Sequence, residues 1–454
     1  MEIGRNIIRI EKARGGVLMY RKFYQTLEQW EEQQIKEPLL VVGARQVGKT
    51  WIIKEFCKNR YENYKYLNFE SMKGLDSVFE ESLEPETILE NLEILTGEKI
   101  GKDTLLFFDE IQKSERAITA LKYFCEADYN YRVIGAGSLL GVKLNRFETS
   151  FPVGKVRIEK MYPMDFEEFL IAMGEDKLIT KIKDHTMKMS PMPEAFHNKA
   201  LELYRHYLYV GGMPQCVADF SVTKNVMDFD RQLQANILLA YTADMKKYTL
   251  SVAEGIKIEE VYHSIPRQLA KENPKFKYKE VRPHANKRDF YLPLDWLRSS
   301  MLIYKVAKVE LPQSPLRTYT DENIFKIYLS DVGLLAYEAG VSYRDLLPES
   351  DNMFKGILTE NYVIQQMNSA GWETFYYKPD ASMEIDVLLD NEGDIIPIEI
   401  KSGRHIRSTS LKNYCEKYSP VDKIRLSYRN FGISDTVRSV PVYAFFALLD
   451  HLLQ

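Results

Sequence analysis

The sequence of 454 residues has few cysteines, no long apolar run and little net charge. Its four cysteines lie far apart and form no C-x-x-C pair, which is typical of reduced thiols in a cytosolic protein. No run approaches the roughly 20 apolar residues of a membrane span, and the first residues lack the apolar core of a signal peptide. The net charge of −4 gives no global signal for nucleic-acid binding, so any such surface must be local. We therefore expect a soluble, cytoplasmic protein with no membrane contact.

The length and composition indicate a globular protein of several domains. A chain of 454 residues exceeds what one hydrophobic core usually supports, which favours about three domains of roughly 150 residues each. Its hydrophobic fraction of 45% and its charged fraction of 28% are ordinary for a folded protein.

A phosphate-binding loop organises the N-terminal part of the sequence. An apolar run at 39–42, typical of a buried strand, leads into the pattern G-x-x-x-x-G-K-[ST], and a helix follows. The glycines let backbone N–H groups turn towards a polyphosphate, and the positive end of the helix favours the same anion. We expect Lys49 to contact the β- and γ-phosphates of ATP, and the hydroxyl of Thr50 to bind Mg²⁺. The nucleotide-binding residues of this loop are Gly43, Ala44, Arg45, Gln46, Val47, Gly48, Lys49 and Thr50.

Two acidic residues end the next informative strand. The apolar run at 104–108 leads into Asp109 and Glu110, and a strand in this position delivers its acids beside the bound nucleotide. We assign Asp109 to Mg²⁺, and Glu110 to polarising the attacking water, as a catalytic residue together with Lys49. A further strand leads to Ser138, which either senses the γ-phosphate or caps the following helix.

These motifs together resemble those of prokaryotic AAA-type ATP-binding proteins that carry a C-terminal domain of unknown function. The resemblance rests on the loop at 43–50, F-D-E-I-Q at 108–112, Gly137 with Ser138, and M-Y-P-M-D-F-E-E-F at 161–169. The resemblance covers nearly the whole chain. It implies an ATPase core, and such a core is compatible with an oligomer.

Many relatives in that group have an arginine ahead of the last of these segments, where a positive charge can reach a neighbouring nucleotide. The matching residue here is Lys155, and a lysine cannot make the forked contact of an arginine. Arg146 and Arg157 are alternatives that the sequence does not rank, so all three stay candidates for a contact in trans.

The middle of the chain is predicted to be helical and then basic. Residues 161–245 have helical spacing, and Gly211 with Gly212 indicate a bend between two helices rather than a second phosphate site. In AAA-type proteins the similar segment forms a lid over the nucleotide.

Residues 246–345 comprise a helix, a basic stretch, a helix and two strands, which resembles a winged-helix module. The basic residues, which suit DNA or RNA phosphates, are Lys271, Lys275, Lys277, Lys279, Arg282, Lys287 and Arg288. A solvated loop and a protein-binding module are the alternatives.

The C-terminal part contains a predicted hairpin at 383–401. Strand alternation places Glu399 and Lys401 on one face, where Asp386 of the neighbouring strand can join them. With Glu360 on the preceding helix, they resemble the D…E-x-K core of restriction-endonuclease-like nucleases. That resemblance implies Asp386 and Glu399 as ligands of a divalent metal. The alternative is an ordinary polar hairpin in a docking module. A local basic excess follows, formed by Arg404, Arg407, Lys412, Lys417, Lys423, Arg425 and Arg429.

We therefore predict an α/β fold with a P-loop NTPase core, a helical lid, a winged-helix module and a small α/β nuclease-like C-terminal domain. The predicted domains are residues 1–160, 161–245, 246–345 and 346–454. The expected function is hydrolysis of ATP with Mg²⁺, coupled to a nuclease-like domain that binds DNA or RNA. The alternative is a non-catalytic, nucleotide-dependent switch whose C-terminal domain docks DNA or a protein partner.

Overall fold

The computed structural model describes residues 19–33, 37–145, 154–249, 251–380, 382–402, 409–434 and 436–453. The chain divides into two compact units. Unit 1 contains Tyr20–Tyr162 and Ser299–Met301, and unit 2 contains Pro163–Arg298 and Leu302–Gln454. Along the described ranges, no helix combines the length and the apolar character that crossing a bilayer requires.

Unit 1 is built on a parallel sheet. Its strands are β1 (Leu39–Val42), β2 (Tyr64–Asn68), β3 (Leu105–Asp109), β4 (Val133–Gly137) and β5 (Arg157–Lys160). They pair in parallel in the order β2-β3-β4-β1-β5. Its helices are α1 (Phe23–Glu32), α2 (Lys49–Arg60), α3 (Pro85–Thr96), α4 (Glu115–Glu126) and α5 (Leu140–Asn145). This arrangement confirms the predicted α/β core with a parallel sheet.

Local sequence explains where the elements of unit 1 begin and end. Strands β1, β3 and β4 are buried along their whole length, as expected for central strands of a parallel sheet. Helix α3 begins at Pro85 and ends before Gly97, whose φ of 69° suits glycine. Ser114 caps α4 by accepting a hydrogen bond from the backbone N–H of Ala117. The carboxyl ends of β1, β3 and β4 meet at one edge of the sheet, which is where open α/β sheets bind ligands.

Unit 2 combines a helical layer with a mixed sheet. The helices that lie wholly or mostly in it are α6 (Phe166–Ala172), α7 (Asp176–Lys188), α8 (Glu194–Val210), α9 (Pro214–Thr223), α10 (Gln232–Lys247), α11 (Val252–Leu269), α12 (Tyr278–Val281), α13 (Lys287–Ser299), α14 (Val332–Glu338), α15 (Phe354–Ser369), α16 (Thr409–Tyr418) and α17 (Phe445–Leu452). Its strands are β6 (Ile303–Val309), β7 (Thr320–Leu329), β8 (Phe375–Asp380), β9 (Met383–Asn391), β10 (Asp394–Lys401), β11 (Ile424–Ser427), β12 (Gly432–Ser434) and β13 (Val437–Pro441).

One sheet crosses the predicted domain boundary at residue 345. Its eight strands have the order β12-β13-β11-β10-β9-β8-β6-β7. Strands β6 and β7 form the antiparallel hairpin that was expected to be the wing, and β6 also pairs in parallel with β8. A short helix, α12, lies within the predicted basic stretch. The predicted order of helix, basic stretch, helix and two strands is present, but the two strands share a sheet with the C-terminal strands, because β6 has a partner on each side.

The paired glycines in the helical layer form a bend. Helix α8 ends at Val210 and α9 begins at Pro214, and Gly211 has a left-handed φ of 82°. The N–H of Gly212 donates to Asp331 Oδ2 at 2.6 Å. A side chain at Gly212 would overlap the backbone of Met164. These glycines are therefore needed for a close approach of backbones, which agrees with the predicted bend.

Candidate functional site

The phosphate-loop pattern forms the turn between β1 and α2. Gln46 and Gly48 have positive φ values of 66° and 97°, so the backbone curls before the helix begins at Lys49. A Cβ at Gly43 would overlap the carbonyl oxygen of Met161, whose own N–H donates to Val42 O at 2.8 Å. The neighbouring backbone at Met161 therefore requires glycine at the first position of the pattern.

Lys49 is folded back over the loop that it follows. Its side chain is only 7% exposed, and its Nζ donates to the carbonyl oxygens of Gly43 and Ala44, both at 2.8 Å. These contacts hold the ammonium over the start of the loop, on the side where the motif predicts phosphates.

Thr50 and Asp109 meet at the carboxyl edge of the sheet. Thr50 Oγ1 lies 3.0 and 3.2 Å from the two carboxylate oxygens of Asp109, which is 4% exposed. Tyr66 OH donates to Asp109 Oδ2 at 2.8 Å, and Asn68 Nδ2 donates to the same oxygen at 3.2 Å. Burial, together with the hydrogen bond to Asp109, raises the pKa of Tyr66 to about 12, so this phenol stays a donor. A hydroxyl and a carboxylate are hard oxygen ligands, so the pair fits Mg²⁺.

Glu110 is held in an unusual backbone conformation beside this pair. Its φ of 54° is left-handed, which is uncommon for a residue other than glycine. Gln112 Nε2 donates to Glu110 Oε2 at 2.5 Å. Burial raises the pKa of Glu110 and Asp109 adds to the shift, whereas Gln112 and Lys49 oppose it. Gln112 is 6% exposed, and among the described residues its Oε1 has no hydrogen-bond partner. Gly137 leaves the room for this side chain, because a Cβ there would overlap Gln112 Oε1.

The structure says less about the roles of the remaining residues that the sequence suggested in unit 1. Ser138 directly follows β4 and is half-buried, so it lies at the same edge as Asp109, and its role stays a prediction. Lys155 Nζ lies 3.2 Å from Glu126 Oε1, and Arg157 Nε lies 2.6 Å from Glu159 Oε1. Arg146 lies outside the described residues. The two described cations therefore have acidic partners within unit 1.

Sequence reasoning missed three residues that support the loop and Asp109. Arg21, before α1, donates to Val47 O and to Tyr162 O, both at 2.6 Å, and so ties the phosphate loop to the end of unit 1. No motif surrounds Arg21 that could have indicated this role. Tyr66 and Asn68 alternate along β2, so the sequence could have placed both on one face beside β3.

Comparison with known proteins bears on three parts of the chain. Residues 36–170 match the family model of an AAA domain. The match supports an AAA-type ATPase. Residues 201–345 and 355–445 match two further families, each described as a domain of unknown function (DUF8612 and DUF4143). No curated protein matches the chain.

The chain also resembles solved structures at low identity. With the Walker-type ATPase PABY2304 of Pyrococcus abyssi it shares 16% identity at a TM-score of 0.44, covering 74% of this chain and 99% of that chain. With the ORC2 protein of Aeropyrum pernix it shares 12% identity at a TM-score of 0.33, covering 74% of this chain and 95% of that chain. With the Holliday junction branch migration motor RuvB of Thermotoga maritima it shares 12% identity at a TM-score of 0.30, covering 63% of this chain and 89% of that chain.

The charged C-terminal residues form a cluster in unit 2, away from the AAA domain in sequence. Asp386 Oδ2 accepts a hydrogen bond from the Ile400 N–H at 2.8 Å. Glu399 is 1% exposed and lies 3.3 Å from Lys401 Nζ and 3.5 Å from Arg425 Nε. Burial raises the pKa of Asp386 to about 7, with a contribution from Glu360. The hairpin therefore gathers the predicted residues, with Glu399 fully engaged by cations.

Sequence reasoning missed the lysine at the centre of this cluster. Lys326 of β7 is 2% exposed, and its Nζ lies 2.9 Å from Glu360 Oε1 and 3.1 Å from Glu384 Oε1. Burial alone lowers the pKa of Lys326, but the carboxylates of Glu360 and Glu384 outweigh burial and raise it, so the ammonium stays charged. With the Lys326 ammonium in place, no group of three or more His, Cys, Asp and Glu side chains among the described residues is arranged to hold a metal ion. The roles of Asp386 and Glu399 as metal ligands stay predictions.

The basic stretch is partly neutralised. Lys271 Nζ lies 2.6 Å from Glu280, and Arg282 Nη2 lies 2.7 Å from Glu260. Within the described residues, no ion pair involves Lys275, Lys277 or Lys279. Arg404 and Arg407 lie outside the described residues.

Proposed function

We propose that this chain binds ATP with Mg²⁺ at the loop 43–50 and hydrolyses it. The observation that carries the proposal is the contact of Thr50 with Asp109 at 3.0 Å, beside Lys49 and Glu110, within a segment that matches an AAA domain. A loop, a cation, a metal-binding oxygen pair and a base at one sheet edge are the parts that phosphoryl transfer to water needs.

Each residue of the loop edge has a defined part in this proposal. Lys49 exchanges its contacts with two loop carbonyl groups for the β- and γ-phosphates. Thr50 and Asp109 would hold Mg²⁺, and the bound ion would supply positive charge to the phosphate oxygens. Ser138 contacts the γ-phosphate from the end of β4.

Glu110 orients the attacking water and accepts its proton. Its raised pKa makes the carboxylate a stronger base than an exposed glutamate. Gln112 holds one oxygen of this carboxylate at 2.5 Å, which leaves the second oxygen to accept the proton. Gln112 is therefore a positioning residue, acting through Glu110.

ATP binding by the full chain tests the site. Lys49→Ala removes the ammonium that contacts the phosphates, so calorimetry with ATP and Mg²⁺ should detect no binding. Lys58→Ala is the matched control, because Lys58 lies on the same helix and pairs with Glu55 at the surface. Tight ATP binding by Lys49→Ala would show that the site lies elsewhere.

We further propose that nucleic acid docks on the basic stretch rather than being cut by the chain. The supporting observation is that Lys275, Lys277 and Lys279 are half-buried or exposed and make no ion pair with the described residues. Such ammonium groups can meet phosphates without breaking existing contacts. A protein partner stays the alternative.

A further inference from the structure

The cluster around Glu360 already contains a cation. Lys326 approaches from β7, the outer strand of the hairpin, and its Nζ lies 2.9 Å from Glu360 Oε1 and 3.1 Å from Glu384 Oε1. The ring of Tyr376 covers the ammonium, with its centroid 4.9 Å from Nζ. Two carboxylates and an aromatic face thus surround a lysine that is 2% exposed.

The other carboxylates of the cluster are also engaged. Lys378 Nζ lies 2.5 Å from Glu384 Oε2, so both oxygens of Glu384 face ammonium groups. Asp386 Oδ2 accepts the Ile400 N–H. The two oxygens of Glu399 face Lys401 and Arg425, as described above.

These residues carry no excess of negative charge that an ion would have to compensate. Four acidic side chains, one of them Asp386 with its raised pKa, stand beside four cations, which are Lys326, Lys378, Lys401 and Arg425. A buried carboxylate is costly unless a cation compensates it, and here lysine and arginine supply that compensation. A divalent ion would add two positive charges to a cluster that has no excess of negative charge, and it would compete with an ammonium for the same oxygens.

We propose that the Lys326 ammonium, held by Glu360 and Glu384, takes the place of a divalent cation, so that this nuclease-like cluster holds no metal. An ammonium offers three N–H donors and one charge, whereas Mg²⁺ requires a near-octahedral shell of oxygens at about 2.0–2.1 Å. An ammonium also cannot generate a metal hydroxide to attack a phosphodiester. The cluster then fixes β7 to α15 and β9 instead of cutting nucleic acid. This inference is independent of the ATP site.

Titration of the nucleotide-free full chain with Mn²⁺ tests the proposal. Four proteins are compared: the parent, Asp386→Asn, Lys326→Met, and the double variant. Only Mn²⁺ binding that Asp386→Asn abolishes is assigned to the cluster, which separates it from any binding at Thr50 and Asp109. Lys305→Met is the matched control, since Lys305 lies on the neighbouring strand of the same hairpin and pairs with Glu322 instead.

The parent and Lys305→Met should show no Asp386-dependent Mn²⁺ binding. Lys326→Met leaves the carboxylates without their central cation, so it should bind one Mn²⁺, and Mn²⁺ should raise its thermal midpoint, because ligands that bind only the folded state stabilise it. Adding Asp386→Asn should remove both effects.

Two results would overturn the proposal. One is Asp386-dependent Mn²⁺ binding, or Asp386-dependent cleavage of DNA with Mn²⁺, by the parent chain. The other is a folded Lys326→Met protein, as judged by circular dichroism, that gains no Mn²⁺ site. If Lys326→Met does not fold, the parent decides alone: absence of Asp386-dependent binding supports the proposal, and its presence contradicts it.

Discussion

Replacing Asp331 by asparagine should remove a pH dependence of stability that its buried carboxyl group creates. Asp331 is fully buried between the Gly211 bend and α14. Its oxygens accept hydrogen bonds from the N–H groups of Gly212 at 2.6 Å and Leu334 at 2.9 Å. Burial raises the pKa of Asp331 from 3.8 to about 6, although these N–H groups oppose the shift.

The sign of the effect follows from proton binding. Between the unfolded pKa of 3.8 and the folded pKa of about 6, the folded chain keeps a proton that the unfolded chain releases. The unfolding free energy therefore falls as pH rises through this window and is constant above it. At about 1.4 kcal/mol per pH unit, the full window amounts to about 3 kcal/mol, and the span from about pH 4.5 to about pH 7 to about 2 kcal/mol.

Urea unfolding of the full chain across that span measures the effect. The stability of Asp331→Asn relative to the parent should rise by about 2 kcal/mol from about pH 4.5 to about pH 7. Only this slope is predicted, because the asparagine amide also faces N–H donors and carries a pH-independent cost. Asp351→Asn, at an exposed position, is the control substitution and is measured at the same pH values. A flat difference for Asp331→Asn would refute the assignment of a raised pKa to this residue.

Three further predictions concern the sites. Gln112→Ala should lower ATP turnover by roughly ten- to a hundredfold at an unchanged KM, because Glu110 loses one hydrogen bond to its charged carboxylate. A loss of ATP binding as large as the loss of turnover would contradict a positioning role. Arg21→Ala should lower the thermal midpoint, since two carbonyl groups lose a buried donor, and an unchanged midpoint would show that Arg21 does not secure the loop. Neutralising Lys275, Lys277 and Lys279 should flatten the salt dependence of DNA binding by about three units in the log–log slope; an unchanged slope would place the partner surface elsewhere.

The nucleotide site could be predicted from sequence because its chemistry is local. Lys49 and Thr50 belong to one motif, and Asp109 ends a strand whose place in a parallel sheet follows from that motif. The match of residues 36–170 supports the predicted AAA-type domain, and the sheet of unit 1 confirms its parallel α/β fold. The roles of the individual residues stay predictions.

The sequence pattern could not predict contacts between residues that lie far apart in the chain. Lys326 lies 34 positions before Glu360, on a strand that resembled a wing, and periodicity does not say that β6 pairs with β8. Arg21 reaches Tyr162 across 141 positions. In each case one charged residue contacts a segment that is distant in the sequence. The charge and spacing of residues within a single motif could not indicate such a contact.

ATP turnover by Glu110→Gln tests the central claim most directly. Glutamine keeps the shape of the side chain but cannot accept a proton, so ATP should bind as tightly as in the parent while turnover with Mg²⁺ falls by roughly a hundredfold or more. Glu90→Gln, at an exposed position on α3, should behave like the parent. A parent chain that binds ATP without hydrolysing it, or a Glu110→Gln variant that hydrolyses ATP at the parent rate, would contradict the assignment of this chain as an ATPase with Glu110 as its base.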